Sequence, residues 1–458
     1  MTDSAYHFVG TGGIGMSAIA RLLLARGARV SGSDVRRTPL IDDLEREGMR
    51  VSIGHASANL GDAETVVVSS AIAIDNPELA AAVERKLDVV TRGKMLARLA
   101  DGHRLVAVAG THGKTTTTAM LATIFEHAGL DPTVAVGGVR VDTGTNARAG
   151  SGHWFITESD ESDGSFLELQ PSIAIVTNIE NDHIASDAEL PALLAQFATF
   201  VGKVPRQGRA VIGTDNAASA LLAKEARAAV STFGVRNEAE FVATDVVYEA
   251  LGSRFIVREL GTALGTVTLN VPGEINVQNA LAALCAARCA GITFEASARA
   301  LAQFHGVERR FQIVGRGAFT VVDDYAHHPT AIGKTIAAAR GFAGAAPVIV
   351  AFQPHRFTRT AYLKDDFAVA LGGADRVVLA PVYAASEAPI EGISSRSIGE
   401  PLAASGTPVD YVDDVEALID VLPGSVPDGA ILLMLGAGSI SGVAHRLGDR
   451  VAAPPLVR

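Results

Sequence analysis

Short apolar segments alternate with longer alanine- and leucine-rich segments along most of this chain, and the apolar segments end at small or polar residues. This alternation predicts strands followed by helices, as in α/β proteins with mainly parallel sheets. A new series of alternating strands and helices begins near residue 101 and again near residue 313. We therefore predict three domains, at residues 1–100, 101–312 and 313–458. The predicted strands are Tyr6–Val9, Arg29–Ser33, Thr65–Ser69, Leu105–Ala109, Trp154–Thr157, Ile173–Thr177, Ala210–Ile212, Phe319–Val322, Val348–Phe352, Arg376–Leu379 and Ala430–Leu435.

The segments between these strands predict the helices. One stretch differs, because Phe241–Val271 alternates apolar and polar residues as an antiparallel pair of strands would. Parallel sheets bind ligands at the carboxyl ends of their strands, so polar residues that directly follow the apolar segments are the candidates for function. The predicted helices are Met16–Arg26, Ala119–Phe125, Asn276–Ala290, Ala331–Ala339 and Tyr362–Leu371.

Composition narrows the classes of partner. The chain has 458 residues, of which 48% are hydrophobic and 19% charged, so it can bury several cores. Its net charge of −11 disfavours nucleic acids and anionic membranes, whose phosphates it would repel. No apolar run approaches the roughly 20 residues of a membrane span, and the N-terminus has no secretory signal. We therefore expect a cytoplasmic monomer or homodimer without a membrane or nucleic-acid partner.

The segment from Gly110 to Thr117 reads Gly-Thr-His-Gly-Lys-Thr-Thr-Thr and lies between a predicted strand and a predicted helix. Its glycines let backbone N–H groups point into one concavity, while the helix N-terminus and Lys114 add positive charge. The hydroxyl of Thr115 is suited to a phosphate-bound Mg²⁺. A standard P-loop carries a further glycine where this chain has Val108. The segment therefore predicts a phosphate site in a P-loop-like, mononucleotide-binding central domain.

In the first domain, Gly10, Gly12 and Gly15 form the pattern Gly-x-Gly-x-x-Gly after a predicted strand, and Asp34 ends the next strand. The pattern is typical of a diphosphate at a helix N-terminus, with the acidic residue on a ribose hydroxyl. It does not identify the nucleoside, so a nicotinamide-dependent dehydrogenase is one alternative for this region and UDP binding is another. The predicted fold is α/β, with Rossmann-like first and third domains around the P-loop-like domain.

Two further strand ends of the second domain carry candidate metal ligands. Glu158 directly follows Trp154–Thr157, and His183 follows Ile173–Thr177. In a parallel sheet both residues lie at the same edge as Lys114. A hard dication on the β- and γ-phosphates takes oxygen ligands from one or two carboxylates. We therefore predict that Glu158 binds Mg²⁺ and that His183 reaches the same cluster directly or through water.

The third domain has two strand ends rich in histidine and arginine. Asp323–Pro329 reads Asp-Asp-Tyr-Ala-His-His-Pro, and Gln353–Arg359 reads Gln-Pro-His-Arg-Phe-Thr-Arg. We predict that the two ends are neighbours and bind a small zwitterion, with arginines on its carboxylate. Zinc held by three histidines is an alternative, although no cysteine or Glu-x-x-His pairing supports it. Arg309 and Arg310 precede this domain in a predicted hinge, either as a solvated pair or as groups that close over a triphosphate.

Together these motifs resemble those of the Mur ligase family, in the family's order, from about Tyr6 to Ile440. The resemblance implies a three-domain cytoplasmic enzyme of peptidoglycan precursor synthesis that uses ATP and Mg²⁺. It implies that L-alanine is joined to the carboxylate of UDP-N-acetylmuramate through an acyl phosphate, with a peptide-adding recycling ligase as the alternative. The matching segments are Gly10–Met16, Ser69–Ile72, Gly110–Thr118, Asp160–Phe166, Thr177–His183, Gly306–Phe311, Asp323–Thr330, Phe352–Thr360 and Gly436–Ile440.

The resemblance also implies a role for each matching residue. The implied catalytic residues are Lys114, Glu158, His183, Arg310 and His327, and the implied Mg²⁺ ligands are Thr115, Glu158 and His183. The residues implied for ATP are Gly110, Thr111, His112, Gly113, Lys114, Thr115, Thr116, Asn276, Asn279, Arg310 and Asp324. Those implied for the sugar nucleotide are Gly12, Gly13, Ile14, Gly15, Met16, Asp34, Ser69 and Ser70, with Asn146 and Ser162 beside the muramoyl group. Those implied for the amino acid are Tyr325, His327, His355, Arg356 and Arg359.

Two segments depart from the family pattern. Ile184–Asp187 replaces Leu-Asp-x-Tyr-Gly after the Asp-His pair, and Gly273–Asn276 has Glu-Ile in place of x-His. Neither change touches Lys114 or Glu158, so activity is expected. A binding protein that uses ATP only to change shape, without amino-acid-dependent turnover, is a further alternative.

Overall fold

The computed structural model describes residues 4–161, 163–180, 190–249 and 252–452, which form three α/β domains in chain order. The strands are β1 Ala5–Val9, β2 Arg29–Asp34, β3 Arg50–Ile53, β4 Thr65–Val68, β5 Asp88–Thr91, β6 Arg104–Ala109, β7 Thr133–Ala135, β8 Ala147–Arg148, β9 Trp154–Glu158, β10 Ile173–Val176, β11 Arg209–Gly213, β12 Ala229–Gly234, β13 Phe241–Glu249, β14 Gly252–Glu259, β15 Thr262–Leu269, β16 Gln312–Arg316, β17 Thr320–Asp324, β18 Val348–Phe352, β19 Arg376–Leu379, β20 Val409–Tyr411 and β21 Ile431–Leu435.

The helices are α1 Ile14–Ala25, α2 Pro39–Arg46, α3 Pro77–Glu84, α4 Arg92–Ala100, α5 Lys114–His127, α6 Leu190–Gly202, α7 Ala217–Leu221, α8 Glu274–Cys289, α9 Phe294–Leu301, α10 Pro329–Ala343, α11 Phe357–Leu371, α12 Arg396–Ala404, α13 Leu418–Val421 and α14 Ile440–Ala452. Every predicted helix and strand overlaps an observed one, although α5 and α11 each begin five residues before the predicted start. Within the described ranges, no helix combines the length and the apolar character that a membrane crossing requires.

The first sheet is parallel throughout, in the order β3-β2-β1-β4-β5. The strand order reverses between β1 and β4, and an open α/β sheet binds its ligands above such a point. Gly10 follows β1 there with a φ of 88°, and a Cβ at Gly10 would lie 3.2 Å from the Cβ of Ser69 after β4. The turn can therefore pass this close to β4 only because residue 10 is glycine.

The central sheet has ten strands, and β6 lies between β10 and β9 with all three parallel. Strands β13, β14 and β15 extend one edge as an antiparallel meander. The prediction of only a pair of strands in this stretch is wrong. A two-residue turn at Leu260 and Gly261, with φ values of 48° and 83°, reverses the chain a second time.

The third sheet has the order β16-β17-β21-β18-β19-β20, parallel except for β16. Strand β21, the last strand of the chain, pairs between β17 and β18, so these two strands are not adjacent in the sheet. The segments that follow them are nevertheless neighbours, as predicted, with the ring centres of His327 and His355 6.0 Å apart. Strand β21 ends in Gly436-Ala-Gly438, where a Cβ would lie 2.8 Å or less from Gln353 atoms. Glycine at both positions therefore lets Gln353 pack directly against the turn after β21.

Helix α5 begins without a side-chain cap, unlike α2 and α3. Proline in the first turn and a side-chain cap from Thr38 or Asn76 start α2 and α3. Gly113 precedes α5 in the left-handed conformation, with a φ of 84°, and supplies no side-chain cap. The first N–H groups of α5 are therefore left for a ligand. The rest of α5 is buried from Thr115 to Phe125, which fixes this helix N-terminus rigidly at the edge of the central sheet.

Candidate active site

The phosphate loop between β6 and α5 is built around an ion pair. Lys114 Nζ donates to Gly110 O at 2.6 Å and to Glu161 Oε2 at 2.8 Å. The side chains of Lys114 and Glu161 are only 15% and 3% exposed. Burial would lower the pKa of Lys114, but the charges of Glu161 and Asp160 raise it, so the ammonium stays protonated. The loop therefore holds a fixed cation beside the N-terminus of α5, as a polyphosphate requires.

Glu158, at the carboxyl end of β9, faces Thr115 across this loop. The Thr115 hydroxyl donates to Glu158 Oε2 at 2.8 Å, and the backbone N–H of Gly137 donates to Oε1. Burial raises the pKa of the Glu158 carboxyl, and these hydrogen bonds oppose the shift. A hydroxyl and a carboxylate oxygen that already face each other fit the ligand preference of Mg²⁺. The third predicted ligand, His183, lies outside the described residues, as do Ser162 and the segment Ile184–Asp187.

The two asparagines predicted for ATP approach the phosphate loop from α8. Asn279 Oδ1 accepts the Thr117 hydroxyl at 3.3 Å, and Asn279 Nδ2 donates to Asn276 Oδ1 at 3.2 Å. Asn276 Nδ2 in turn donates to Pro272 O at 2.7 Å. The structure therefore places Asn279 beside Thr117 of α5, with Asn276 bonded to it.

The glycine-rich turn of the first domain is held by Asp34. The backbone N–H of Gly12 donates to Asp34 Oδ2 at 2.8 Å, and Gly13 precedes the first residue of α1. One carboxylate oxygen of Asp34 thus positions the loop itself. Ser69 and Ser70 follow β4, the neighbour of β1, and lie at the same edge of the sheet.

Two residues predicted near the sugar nucleotide have buried side chains. The Met16 side chain lies in the core of the first domain, and Asn146 is 0% exposed. Asn146 Nδ2 donates to Ile14 O at 2.7 Å and to Ser17 Oγ at 3.0 Å, while its Oδ1 accepts from Arg21. In this structure Asn146 therefore joins the central domain to the first turns of α1, so a role beside the muramoyl group would act through α1.

Asp324, at the end of β17, ties the hinge to the third domain. Its Oδ2 accepts from Phe311 N at 2.8 Å and its Oδ1 from Ala326 N at 2.7 Å. Burial raises the pKa of Asp324 to about 6, against the charge of Arg310. The guanidinium carbon of Arg310 lies 5.0 Å from the ring centre of Tyr325. The charge of Arg310 also opposes the rise in the pKa of both Asp324 and Glu158, and all three residues line one cavity.

The predicted amino-acid residues form a row of rings. Ring centres are separated by 4.9 Å between Tyr325 and His327, by 6.0 Å between His327 and His355, and by 5.6 Å between His355 and Tyr383. Arg359 Nη1 lies 3.4 Å from His355 Nδ1. The strand ends of β17 and β18 therefore meet through their loops, although β21 separates the strands themselves.

Backbone strain concentrates around this row of rings. Arg356, which directly precedes α11, has a φ of 70°, and Ala385 and Ser386 have φ values of 48° and 71°. Glu387 accepts from Thr358 N at 3.0 Å and from Thr358 Oγ1 at 2.8 Å, and so caps α11. Left-handed conformations of residues other than glycine persist only where their surroundings hold them. The 383–387 segment thus clamps the helix that carries Arg359.

Ser386→Gly is expected to stabilise the protein by about 1 kcal/mol, because Ser386 is exposed and glycine adopts a φ of 71° without the Cβ penalty. The measurement is equilibrium unfolding by denaturant. Ser386→Ala is the matched control, since it removes the hydroxyl but keeps the Cβ, and it should bring no gain. Equal stabilities of the glycine and alanine variants would contradict this account.

His355 is expected to make the protein less stable in mild acid. Burial, Arg359 and Arg356 lower the pKa of His355 from 6.5 to about 4. Between these values the unfolded chain binds a proton at this position and the folded chain does not, so stability falls as the pH drops from 6.5 towards 4. The melting temperature of the wild type should therefore approach or fall below that of His355→Gln across this window. Parallel curves for the two proteins would show that His355 does not contribute.

Two adjoining cavities run along the junction of the central and third domains. One of about 450 Å³ is lined by the phosphate loop, Glu158, Asp324 and the 325–328 loop, and it reaches Gly15 of the first domain. The other, of about 360 Å³, is more apolar and extends past Asn279 to Phe233 and Phe342. A polar cavity that continues into an apolar slot fits a nucleotide whose phosphates and base need different surroundings.

Four residues of the site are missing from the sequence prediction. Glu161 pairs with Lys114, Gly137 holds Glu158, Arg92 lines the larger cavity, and Tyr383 stacks on His355. Strand β5 is not among the predicted strands, so Arg92 at its end was not singled out. Glu161 lies in the acidic run after β9, and its burial rather than its sequence position distinguishes it.

Comparison with known proteins agrees with this architecture. Family models described as "Mur ligase family, catalytic domain", "Mur ligase middle domain" and "Mur ligase, glutamate ligase domain" match residues 5–104, 108–287 and 309–438. A UDP-N-acetylmuramate–L-alanine ligase of Geotalea uraniireducens is 44% identical over 447 residues, which are 97% of each chain. One from Acidithiobacillus ferrooxidans is 45% identical over 444 residues, which are 96% of each chain.

Solved structures are similar over the same length. The crystal structure of the UDP-N-acetylmuramate-alanine ligase MurC from Thermotoga maritima has a TM-score of 0.84 at 30% identity and covers 97% of this chain and 98% of that one. A murein peptide ligase from Psychrobacter arcticus has a TM-score of 0.74 at 25% identity and covers 99% and 100%. The three matching family models, in order along the chain, show that this protein belongs to the Mur ligase family.

Proposed function

We propose that the protein joins L-alanine to the carboxylate of UDP-N-acetylmuramate at the expense of ATP, in the synthesis of peptidoglycan precursors in the cytoplasm. The observation that carries the proposal is one cavity bordered by the Lys114–Glu158 phosphate site and by the 325–328 loop next to His355. The curated relatives at 44% and 45% identity support the choice of substrates.

A carboxylate is a poor electrophile, so the reaction needs its oxygen to be phosphorylated before an amine can attack. Lys114, fixed by Glu161, would lie where charge develops on the transferred phosphoryl group. Thr115 and Glu158 would hold Mg²⁺, which supplies further positive charge to the phosphates when bound. The asparagines of α8 and the apolar slot would hold the ribose and adenine of ATP.

The amino acid would enter at the row of rings in the third domain. Arg356 and Arg359 would bind its carboxylate, while its amine must be neutral to attack, and His327 is a candidate to accept the proton. Asp324 holds the hinge and the 325–328 loop by two backbone hydrogen bonds, so it would set the distance between the amine and the phosphorylated carboxyl.

A recycling ligase that adds a whole peptide is the second candidate, favoured by the similarity to the Psychrobacter arcticus structure at 25% identity. The dehydrogenase alternative accounts only for the first domain and does not explain the phosphate loop or the third domain. A protein that only changes shape with ATP would release phosphate, if at all, without regard to the amino acid.

The test is phosphate release from purified protein with Mg·ATP and UDP-N-acetylmuramate, with and without L-alanine. Glycine, L-serine and the L-Ala-D-Glu-diaminopimelate tripeptide are run in parallel. We expect release that needs both acceptor and amino acid and is fastest with L-alanine. Release only with the tripeptide would assign the recycling activity, and release independent of any amino acid would refute the ligase proposal.

A further inference from the structure

Three side chains from three segments meet at the junction of the central and third domains. They are His112 of the phosphate loop, Glu180 after β10, and His328 directly before α10. One candidate ligand atom from each lies within 4.8 Å of the other two. In the part of the chain that the structure describes, no other set of three histidine, cysteine or acidic residues is this close.

The spacing of the first pair already matches that of metal ligands. His112 Nε2 lies 3.2 Å from Glu180 Oε2. In a tetrahedral site with bonds of about 2 Å, ligand atoms are roughly 3.4 Å apart. The ring centre of His328 is 5.7 Å from that of His112, so a small shift of one imidazole completes the set. His112 and His328 are 9% and 6% exposed, which distinguishes them from surface histidines.

The backbone holds two of these residues in place without any ion. His112 N donates to Asn178 Oδ1 at 2.8 Å, and Glu180 N donates to Thr111 Oγ1 at 2.8 Å. The phosphate loop and the segment after β10 are therefore bonded to each other on both sides of the His112–Glu180 pair. Such outer hydrogen bonds fix the orientation of ligands at metal sites.

Glu180 is the one acidic member of the cluster. Burial would raise the pKa of Glu180, but the hydrogen bond and charge of His112 and the charge of Lys334 lower it to about 2. Glu180 is therefore an ionised, mostly buried carboxylate. Lys334 of α10 supplies a positive charge near it, and a metal ion would compete with that ammonium.

We propose that His112, Glu180 and His328 form a binding site for one transition-metal ion of the Zn²⁺ type. Two imidazoles and one carboxylate suit Zn²⁺, whereas Mg²⁺ prefers oxygen ligands alone. The site's three residues are not the oxygen ligands Thr115 and Glu158, although they line the same two adjoining cavities. Because its ligands belong to the central and third domains, a bound ion would hold the phosphate loop against the start of α10.

The site is tested with the full-length protein and with Zn²⁺ and Co²⁺ as probes, in excess Mg²⁺. Zn²⁺ affinity is measured by competition with a chromophoric chelator, and Co²⁺ coordination by its visible absorption. We expect one ion per chain, a tetrahedral Co²⁺ spectrum, and a rise in melting temperature with Zn²⁺. His328→Gln and Glu180→Gln should each weaken Zn²⁺ binding by about 10-fold or more, and Lys334→Gln should strengthen it.

Three controls decide whether the ion is at this site. His153→Gln and His305→Gln alter exposed histidines and should leave the affinity unchanged, as should Glu158→Gln. Melting temperatures measured without metal establish that each variant is folded. If His328→Gln does not fold, Glu180→Gln alone tests the loss of Zn²⁺ affinity. Displacement by Mg²⁺, equal loss in Glu158→Gln, or full affinity in both cluster variants would overturn the proposal.

Discussion

Lys114→Met is expected to lower amino-acid-dependent phosphate release by at least about 1,000-fold, because the variant removes the fixed cation from the phosphoryl-transfer site. It should also lower the free energy of unfolding by about 3–5 kcal/mol, since the buried Glu161 carboxylate loses its ion-pair partner. Release is measured with saturating substrates, and stability by denaturant unfolding of the same preparations.

The double variant Lys114→Met/Glu161→Gln separates the two effects. Removing the buried negative charge together with the positive one should recover most of the lost stability, while activity stays as low as in Lys114→Met. If activity returned with stability, Lys114 would serve only to fold the loop, and the proposed role at the phosphates would be wrong.

Gly137→Ala is expected to lower activity by about 10- to 100-fold without removing any functional group. A Cβ at Gly137 would lie 2.6 Å from Glu158 Oε1 and 2.7 Å from Glu158 Cδ, so the carboxylate must move away from Thr115. A displaced Glu158 should raise the Mg²⁺ concentration needed for half-maximal activity. The measurement is phosphate release over a Mg²⁺ titration.

Gly202→Ala, at the end of α6, is the matched control because a Cβ there meets nothing within 4 Å. It should keep both the activity and the Mg²⁺ dependence of the wild type. An unchanged Mg²⁺ dependence in Gly137→Ala would mean that Glu158 is not held at the metal site through this contact.

The part of the site that follows strand ends could be predicted from sequence. The phosphate loop that leads to Lys114 follows β6, and Glu158 is the last residue of β9. In a parallel sheet the ends of neighbouring strands must lie at one edge. The glycine pattern and Asp34 follow from the same rule in the first domain. Local composition is enough for these residues because their position depends only on strand direction.

The rest depends on contacts between distant segments, which composition does not encode. The placement of β21 between β17 and β18 is a choice of strand order, and either order satisfies the same apolar pattern. The side chain of Asn146 accepts a hydrogen bond from Arg21, which lies 125 residues earlier in the chain. Tyr383 stacks on His355, which belongs to another loop. The second turn of the β13–β15 meander depends on two residues with positive φ, of which only one is glycine.

Each of the three sheets is made from one uninterrupted stretch of chain: β1–β5, then β6–β15, then β16–β21. Translation therefore completes every strand of the first domain before any strand of the second exists, and domains generally fold as units in that order. When the first domain has been synthesised, Arg21 still lacks its partner Asn146, which is synthesised 125 residues later. During that interval Arg21 has only the partners that the first domain supplies, among them the carboxylate of Glu47.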